Sequence, residues 1–200
     1  MIRLSPVLLP MPERARDLVP RERVALQSAV ARDAVKESAR LAQVATPEFR
    51  KDDRDVPQPD GDVFWSLTHT TRWVGGVVAP RRVGIDVEGP RPVREEIARK
   101  ILDDDEASVL GGREGEAFLR AWTSKEAVLK CEGVGIAGLS RCRIRAMRDE
   151  DCLELSFDGH QYAVHNHVFD EHVAALCVTP QDAPREAVQV DWTELSEARG

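Results

Sequence analysis

The sequence predicts an α+β protein of two similar lobes, each a long helix packed on a small antiparallel sheet, related by a pseudo-twofold. Two observations predict it. Residues 21–44 and 114–131 carry apolar side chains at helical spacing over several turns. Each stretch is then followed by short runs rich in Val, Ile and aromatic residues, cut by Pro, Asp and Gly, that read as strands. The order of helix then strands thus occurs twice. It divides the chain into an N-terminal lobe over 1–92, a C-terminal lobe over 93–180 and a polar tail over 181–200. A cleft between the lobes is the expected place for a ligand.

Residues 21–44 open the series. Leu26, Val30 and Ala34 stand four apart and Leu41 and Val44 extend the stripe. Pro20 suits the first turn, where its missing N–H would have no partner anyway. Residues 46–61, rich in Pro and Asp, read as a loop. Strands are expected next at 63–67, 73–79 and 83–88. Pro80-Arg81-Arg82 is so short a link that the last two should be antiparallel neighbours. Residues 93–110 have helical character, with Ile97 and Ile101 four apart, and Gly111-Gly112 ends them. The second long helix, 114–131, puts Phe118, Ala121, Trp122 and Leu129 on one side and stops at Gly133 and Gly135. Strands follow at 141–147, 153–157, 161–168 and 172–179, the first with Cys142, Ile144 and Ala146 alternating onto one face. In the acidic tail, Val188, Val190 and Trp192 suit one short docked strand.

Composition narrows the classes. Of 200 residues 42% are hydrophobic and 32% charged, an ordinary balance for a globular protein. No apolar run approaches the ~20 residues that span a bilayer. Prolines cut residues 1–10 twice, and no signal-peptide core is present there. A cytoplasmic protein without a membrane partner is therefore expected. The net charge of −7 argues against a nucleic-acid partner. Cys131, Cys142, Cys152 and Cys177 are scattered without a close pair, so neither a disulfide nor zinc is expected.

Two segments carry chemistry. Asp86 and Glu88 stand two apart in an apolar strand, so both carboxylates share one face while Ile85 and Val87 share the other. Adjacent like charges repel unless a cation lies between them, and hard oxygen ligands suit Mg²⁺. An edge strand with one solvated face would show the same pattern. Glu126 and Lys130 stand four apart on a helix, in the order that gives either a surface ion pair or a pair of functional groups.

Together these segments resemble the signature of the 4'-phosphopantetheinyl transferases. That signature is G-[IV]-D-[IV]-E, some forty residues, then W-[ST]-x-K-E-[AS]-x-x-K and a glycine-rich turn. Gly84-Ile85-Asp86-Val87-Glu88 matches the first part. Trp122, Thr123, Lys125, Glu126, Ala127 and Lys130, followed by Gly133-Val134-Gly135, match the second. Upstream, Ser66-Leu67-Thr68-His69-Thr70 resembles the family's S-[LI]-[ST]-H-[ST] segment. The likeness runs from the first helix to about Thr179 and points to the two-lobed monomeric type that activates surfactin synthetase. One departure is clear: where the family often has Gly-Lys-Pro before the histidine, this chain has residues 54–61, with Arg54 as the candidate substitute.

The resemblance implies a reaction. The phosphopantetheine arm of coenzyme A passes to a serine of an apo acyl or peptidyl carrier protein, leaving 3',5'-ADP. It implies Mg²⁺, with Mn²⁺ an alternative, on Asp86, Glu88 and Glu126. It gives Lys130 the leaving phosphate oxygen, and leaves the serine proton to Glu126 or to a metal-bound water. Arg23, Thr68, His69, Lys125 and Lys130 are the expected coenzyme A contacts. Two other readings remain open on the residues: a metal-dependent phosphodiesterase or nucleotide hydrolase, and a non-catalytic coenzyme A–binding or carrier-docking scaffold. Arg91, Arg94, Arg99 and Lys100 suit either an acidic carrier helix or neutralisation by Glu95, Glu96 and the acidic run 103–106.

Overall fold

The structure is a computed structural model that describes residues 1–180 and 187–196. The chain forms two compact units. Met1–Val83 and the C-terminal tail make the first, and Gly84–Asp182 the second. The division falls inside the Asp86 strand, between Val83 and Gly84, and residues 187–196 go with the first unit.

The first unit contains β1 (Ile2–Leu4), β2 (Val7–Pro10), α1 (Pro20–Ala42), β3 (Phe64–His69) and β4 (Trp73–Ala79). The N-terminal strands are not anticipated by the sequence: β1 is only three residues long, and in β2 Val7, Leu8 and Leu9 are all buried and show no alternation. The tail supplies β10 (Val188–Val190), parallel to β1, and β11 (Thr193–Glu194), parallel to β2. It thus docks as two short strands, not one. The main sheet has the order β11-β2-β4-β3, its inner pairs antiparallel.

Helix α1 ends at Gln43, whose left-handed backbone (φ 58°) lets Val44 N–H bond the Ala39 carbonyl. It buries Val30, Ala31, Ala34, Val35 and Ala39. Gly76 on β4 permits this packing: a methyl there would overlap the Val35 amide nitrogen and stand 2.7 Å from the Ala34 carbonyl carbon.

The second unit contains β5 (Val83–Glu88), which starts at the boundary, then α2 (Glu95–Ile101), α3 (Asp104–Leu110) and α4 (Gly115–Glu132). Strands β6 (Arg143–Asp149), β7 (Cys152–Phe157), β8 (His160–Phe169) and β9 (His172–Val178) follow as an antiparallel meander. The sheet order is β5-β9-β8-β7-β6. Strand β5 therefore pairs with β9 and not with β4, contrary to the antiparallel pair expected across Pro80-Arg81-Arg82. The short link carries the chain from one sheet into another. Helix α4 lies on this sheet, with Ala121, Ala127, Val128 and Leu129 fully buried against Leu153, Leu155 and Val173.

The helical region 93–110 is two helices because Asp103 caps the second: its side chain accepts from Glu106 N while Glu106 accepts from Asp103 N. In β6 the expected alternation fails at Ala146, which is exposed, since a register shift falls between Ile144 and Ala146. Among the described residues no helix is long and apolar enough to cross a membrane.

Candidate active site

Strand β5 is apolar apart from its two acids, and Gly84 decides how near α4 can come. A methyl at 84 would overlap the Ala127 carbonyl oxygen and stand 2.7 Å from Cys131 N. The bare backbone lets β5 lie directly against α4. Asp86 and Glu88 on the strand thereby meet Trp122, Glu126 and Lys130 on the helix.

The contacts are specific. Lys130 Nζ donates to Asp86 Oδ1 at 2.8 Å and to the Ile85 carbonyl at 3.0 Å. Trp122 Nε1 donates to Glu88 Oε1 at 3.1 Å, and the Arg91 guanidinium lies 5.7 Å from the Trp122 ring centroid. Asp86 is buried, while Glu88, Glu126 and Lys130 are half-buried. Burial first, and then the charge on Asp86, raise the Glu88 carboxyl above its ordinary range; Arg91, the Trp122 bond and Lys130 pull it back in part. Burial and Asp86 raise Glu126 likewise, with Lys130 opposing and Glu88 adding to the rise. Glu126 thus feels both β5 acids, and Glu88 feels Asp86.

This donor set fits a hard divalent ion. It is all carboxylate oxygen, and a cation would offset the burial and the Asp86 charge that together raise Glu88 and Glu126. Among the described residues, however, no three His, Cys, Asp or Glu side chains stand at metal-ligand spacing. The Lys130 ammonium instead occupies one oxygen of Asp86, so closing the triad on an ion means displacing that contact.

The remaining expected contacts fall differently. Lys125 does not present its charge to a ligand: it is 1% exposed, its ammonium 2.7 Å from Glu106 Oε1 and 2.6 Å from the Ile101 carbonyl. Phosphate contact would require breaking that pair. Thr68 and His69 lie at the end of β3 in the first unit, Thr68 buried and His69 exposed. Arg23 also lies there, at the start of α1, donating to the carbonyls of Ala15, Arg16 and Leu18. This bonding clamps the 3-10 turn Glu13–Asp17 to the helix. Arg54 is exposed and 3.5 Å from Asp52 Oδ2. In the basic segment, Arg99 pairs with Glu95 at 2.7 Å, so neutralisation accounts for that cation.

Sequence reasoning missed Glu106. The acidic run 103–106 reads as surface charge, yet Glu106 is 2% exposed. The Asp-x-x-Glu spacing of a capping box was the available signal. A groove of about 880 Å³ in this unit, lined by Arg91, Val93, Phe118 and Val173 among others, contains none of the triad carboxylates.

Comparison with known proteins gives one consistent result. Residues 82–177 match the family model of the 4'-phosphopantetheinyl transferase superfamily. The chain is 28% identical over 142 residues to 4'-phosphopantetheinyl transferase Sfp of Bacillus subtilis, covering 67% of this chain and 63% of that one. It is 30% identical over 132 residues to 4'-phosphopantetheinyl transferase psf-1 of Bacillus pumilus, covering 63% and 57%. A third relative, 4'-phosphopantetheinyl transferase gsp of Aneurinibacillus migulanus, is 28% identical over 92 residues, covering 44% and 39%. The matched part thus spans less than two thirds of each of these relatives. The matched segment takes in both halves of the Asp86–Glu88 and Glu126–Lys130 site, and over residues 82–177 the chain is similar to the 4'-phosphopantetheinyl transferase superfamily.

Proposed function

We propose that this protein transfers the 4'-phosphopantetheine arm of coenzyme A to a serine hydroxyl of an apo acyl or peptidyl carrier protein. The observation that supports the reading is the contact of β5 with α4, Lys130 on Asp86 and Trp122 on Glu88, in a segment matching the superfamily model. The serine oxygen forms a bond to the β-phosphorus of coenzyme A. The phosphorus–oxygen bond inside the pyrophosphate breaks, 3',5'-ADP leaves, and the hydroxyl gives up its proton.

Asp86, Glu88 and Glu126 would hold Mg²⁺ or Mn²⁺, which when bound neutralises charge on the pyrophosphate oxygens. The chain's own groups supply the rest. Glu126, its proton affinity raised by burial and by Asp86, suits acceptance of the serine proton. Lys130 is half-buried and four residues on, and its ammonium would serve the leaving phosphate oxygen. The Trp122 bond holds the Glu88 carboxylate in one orientation. His69 and Thr68 at the end of β3, with Arg23, are the proposed nucleotide-side contacts. The triad is complete within one chain, and we place the active protein as a cytoplasmic monomer.

Intact-mass analysis of apo carrier proteins incubated with protein, coenzyme A and Mg²⁺ tests this reading. A gain of one phosphopantetheine on the carrier, abolished by exhaustive chelation, is the expected result. Coenzyme A cleavage without any carrier would identify a hydrolase instead. No reaction with any carrier, alongside retained coenzyme A binding, would identify a scaffold.

A further inference from the structure

On the turn of α4 that presents Glu126, the preceding residue does something the proposed reaction does not use. Lys125 heads the largest fully buried side chains among the described residues. Its ammonium and the Glu106 carboxylate are each 2% exposed and 2.7 Å apart. Lys125 also donates to the Ile101 carbonyl at the end of α2. Glu106, at the first turn of α3, accepts from Ile144 N on β6 at 2.8 Å and from Asp103 N at 3.1 Å. Arg143 closes the cluster, ion-paired with Asp103 and 3.9 Å from Glu106 Oε2. One lysine thus ties α4 to α2, α3 and the edge strand β6.

A buried ion pair is a poor way to gain stability. Desolvating both charges offsets most of their attraction, and apolar residues of similar volume often do as well or better. Its advantage is direction. The buried apolar neighbours of Lys125 on α4, Phe118, Ala121, Val128 and Leu129, hold the helix to its sheet by contact that is non-directional. Side-chain ends lie ~5–6 Å from a helix axis, so a turn of about 20° would move the Glu126 carboxylate by about 2 Å. Metal ligands must be held to about 0.2–0.5 Å.

We propose that Lys125 and Glu106 are positioning residues whose buried ion pair fixes the rotation of α4, so that Glu126 faces Asp86 and Glu88. This inference rests on the metal-dependent transferase reading above. It replaces phosphate binding as the role of the signature's first lysine in this chain.

The test uses the full chain with Lys125→Met, Glu106→Gln and the double variant, with Ser38→Ala in the first unit as a control for lost stability. The double variant removes both charges together, so it keeps the test alive if a single change prevents folding. Binding of Mn²⁺ is read from the electron paramagnetic resonance of the free ion, and transfer kinetics are measured in parallel. Lys125→Met and the double variant should weaken Mn²⁺ at least tenfold and lower kcat at least tenfold, while the carrier KM stays within twofold. Ser38→Ala should do neither at a temperature where it is folded. An unchanged Mn²⁺ affinity with a raised coenzyme A KM would restore the phosphate role and overturn the inference. Unchanged Mn²⁺ affinity and turnover with only a lower Tm would make the pair purely structural and overturn it too. Wild-type protein that binds no Mn²⁺ would remove the metal reading itself, a different failure.

Discussion

Helix α1 on β4 and helix α4 on β5 are built by the same device. In each, a strand glycine, Gly76 or Gly84, lets the helix backbone come so close that a single methyl would collide with it. What differs is the polar content of the contact. Helix α1 uses neutral groups: Ser38 Oγ accepts from Val78 N at 3.0 Å, and Gln27 Nε2 donates to the Thr70 carbonyl at 2.7 Å. These satisfy backbone groups that burial would otherwise leave costly. Helix α4 brings Trp122, Glu126 and Lys130 to the same kind of contact, against Asp86 and Glu88. Close approach is therefore a property of the fold. The charge gathered at one of the two contacts marks the site.

The widest separation between the two contacts should come from removing charge. Asp86→Ala, Glu88→Ala and Glu126→Ala should each cut carrier modification on the order of a hundredfold or more, since ligands of one ion act as a unit. Glu88→Ala and Glu126→Ala should leave the metal-free fold intact or firmer, because each removes a source of repulsion, whereas Asp86→Ala also strips Lys130 of its ion pair. Glu95→Ala and Glu96→Ala, on the exposed face of α2, should be nearly silent. Transfer rates with purified variants check both parts. Equal losses across all five would break the distinction between site and surface.

The glycines give a smaller and more pointed contrast. Gly76→Ala and Gly84→Ala each overfill a backbone contact and should each cost about 1–3 kcal/mol by denaturant unfolding. Their activities should diverge. Gly84→Ala pushes α4 away from β5 and should depress kcat even where the protein is fully folded. Gly76→Ala should lose activity only in step with folding. Matching activity losses at matched stability would mean that the β5–α4 contact has no special role in setting the site.

The same contrast explains what was legible in the sequence. Helices α1 and α4 were, because their apolar stripes are long and end at a left-handed cap, Gln43 or Gly133. Asp86, Glu88, Glu126 and Lys130 were, because strand and helix periodicity assigns their faces before any packing is known. The partner of β5 was not. A three-residue link implies a hairpin locally, and only the competition of β9 for that edge decides otherwise. The true surroundings of Lys125 were also hidden. A motif lysine beside a carboxylate looks like a ligand-binding cation, and its burial depends on Glu106 arriving from another helix. Strand β2 escaped because a strand buried on both faces, here at 7–9, carries no alternation, and β1 because it is only three residues long.

The smallest expected effect concerns protons. The groups that bond α1 to β4, Ser38 and Gln27, do not titrate near neutrality, whereas Glu88 and Glu126 are both raised above the ordinary carboxylate value of 4.5 by burial and by Asp86. Between that value and their raised ones, the folded metal-free protein binds more protons than the unfolded chain. Stability from these two groups must therefore fall as pH rises through that window, and return as pH drops below it. Other acids act oppositely: Asp52, held low mainly by the Val56 amide, and Asp191, held low mainly by Arg3, contribute stability that is lost on acidification. The quantity to measure is thus the difference in Tm between wild type and Glu126→Gln, recorded against pH with a chelator present. That difference should grow in the variant's favour from pH 4 towards neutrality. Saturating Mg²⁺ should reverse its sign, because the ion stabilises only the intact triad. A difference flat in both pH and Mg²⁺ would place Glu126 in no closer contact with the β5 acids than Ser38 is.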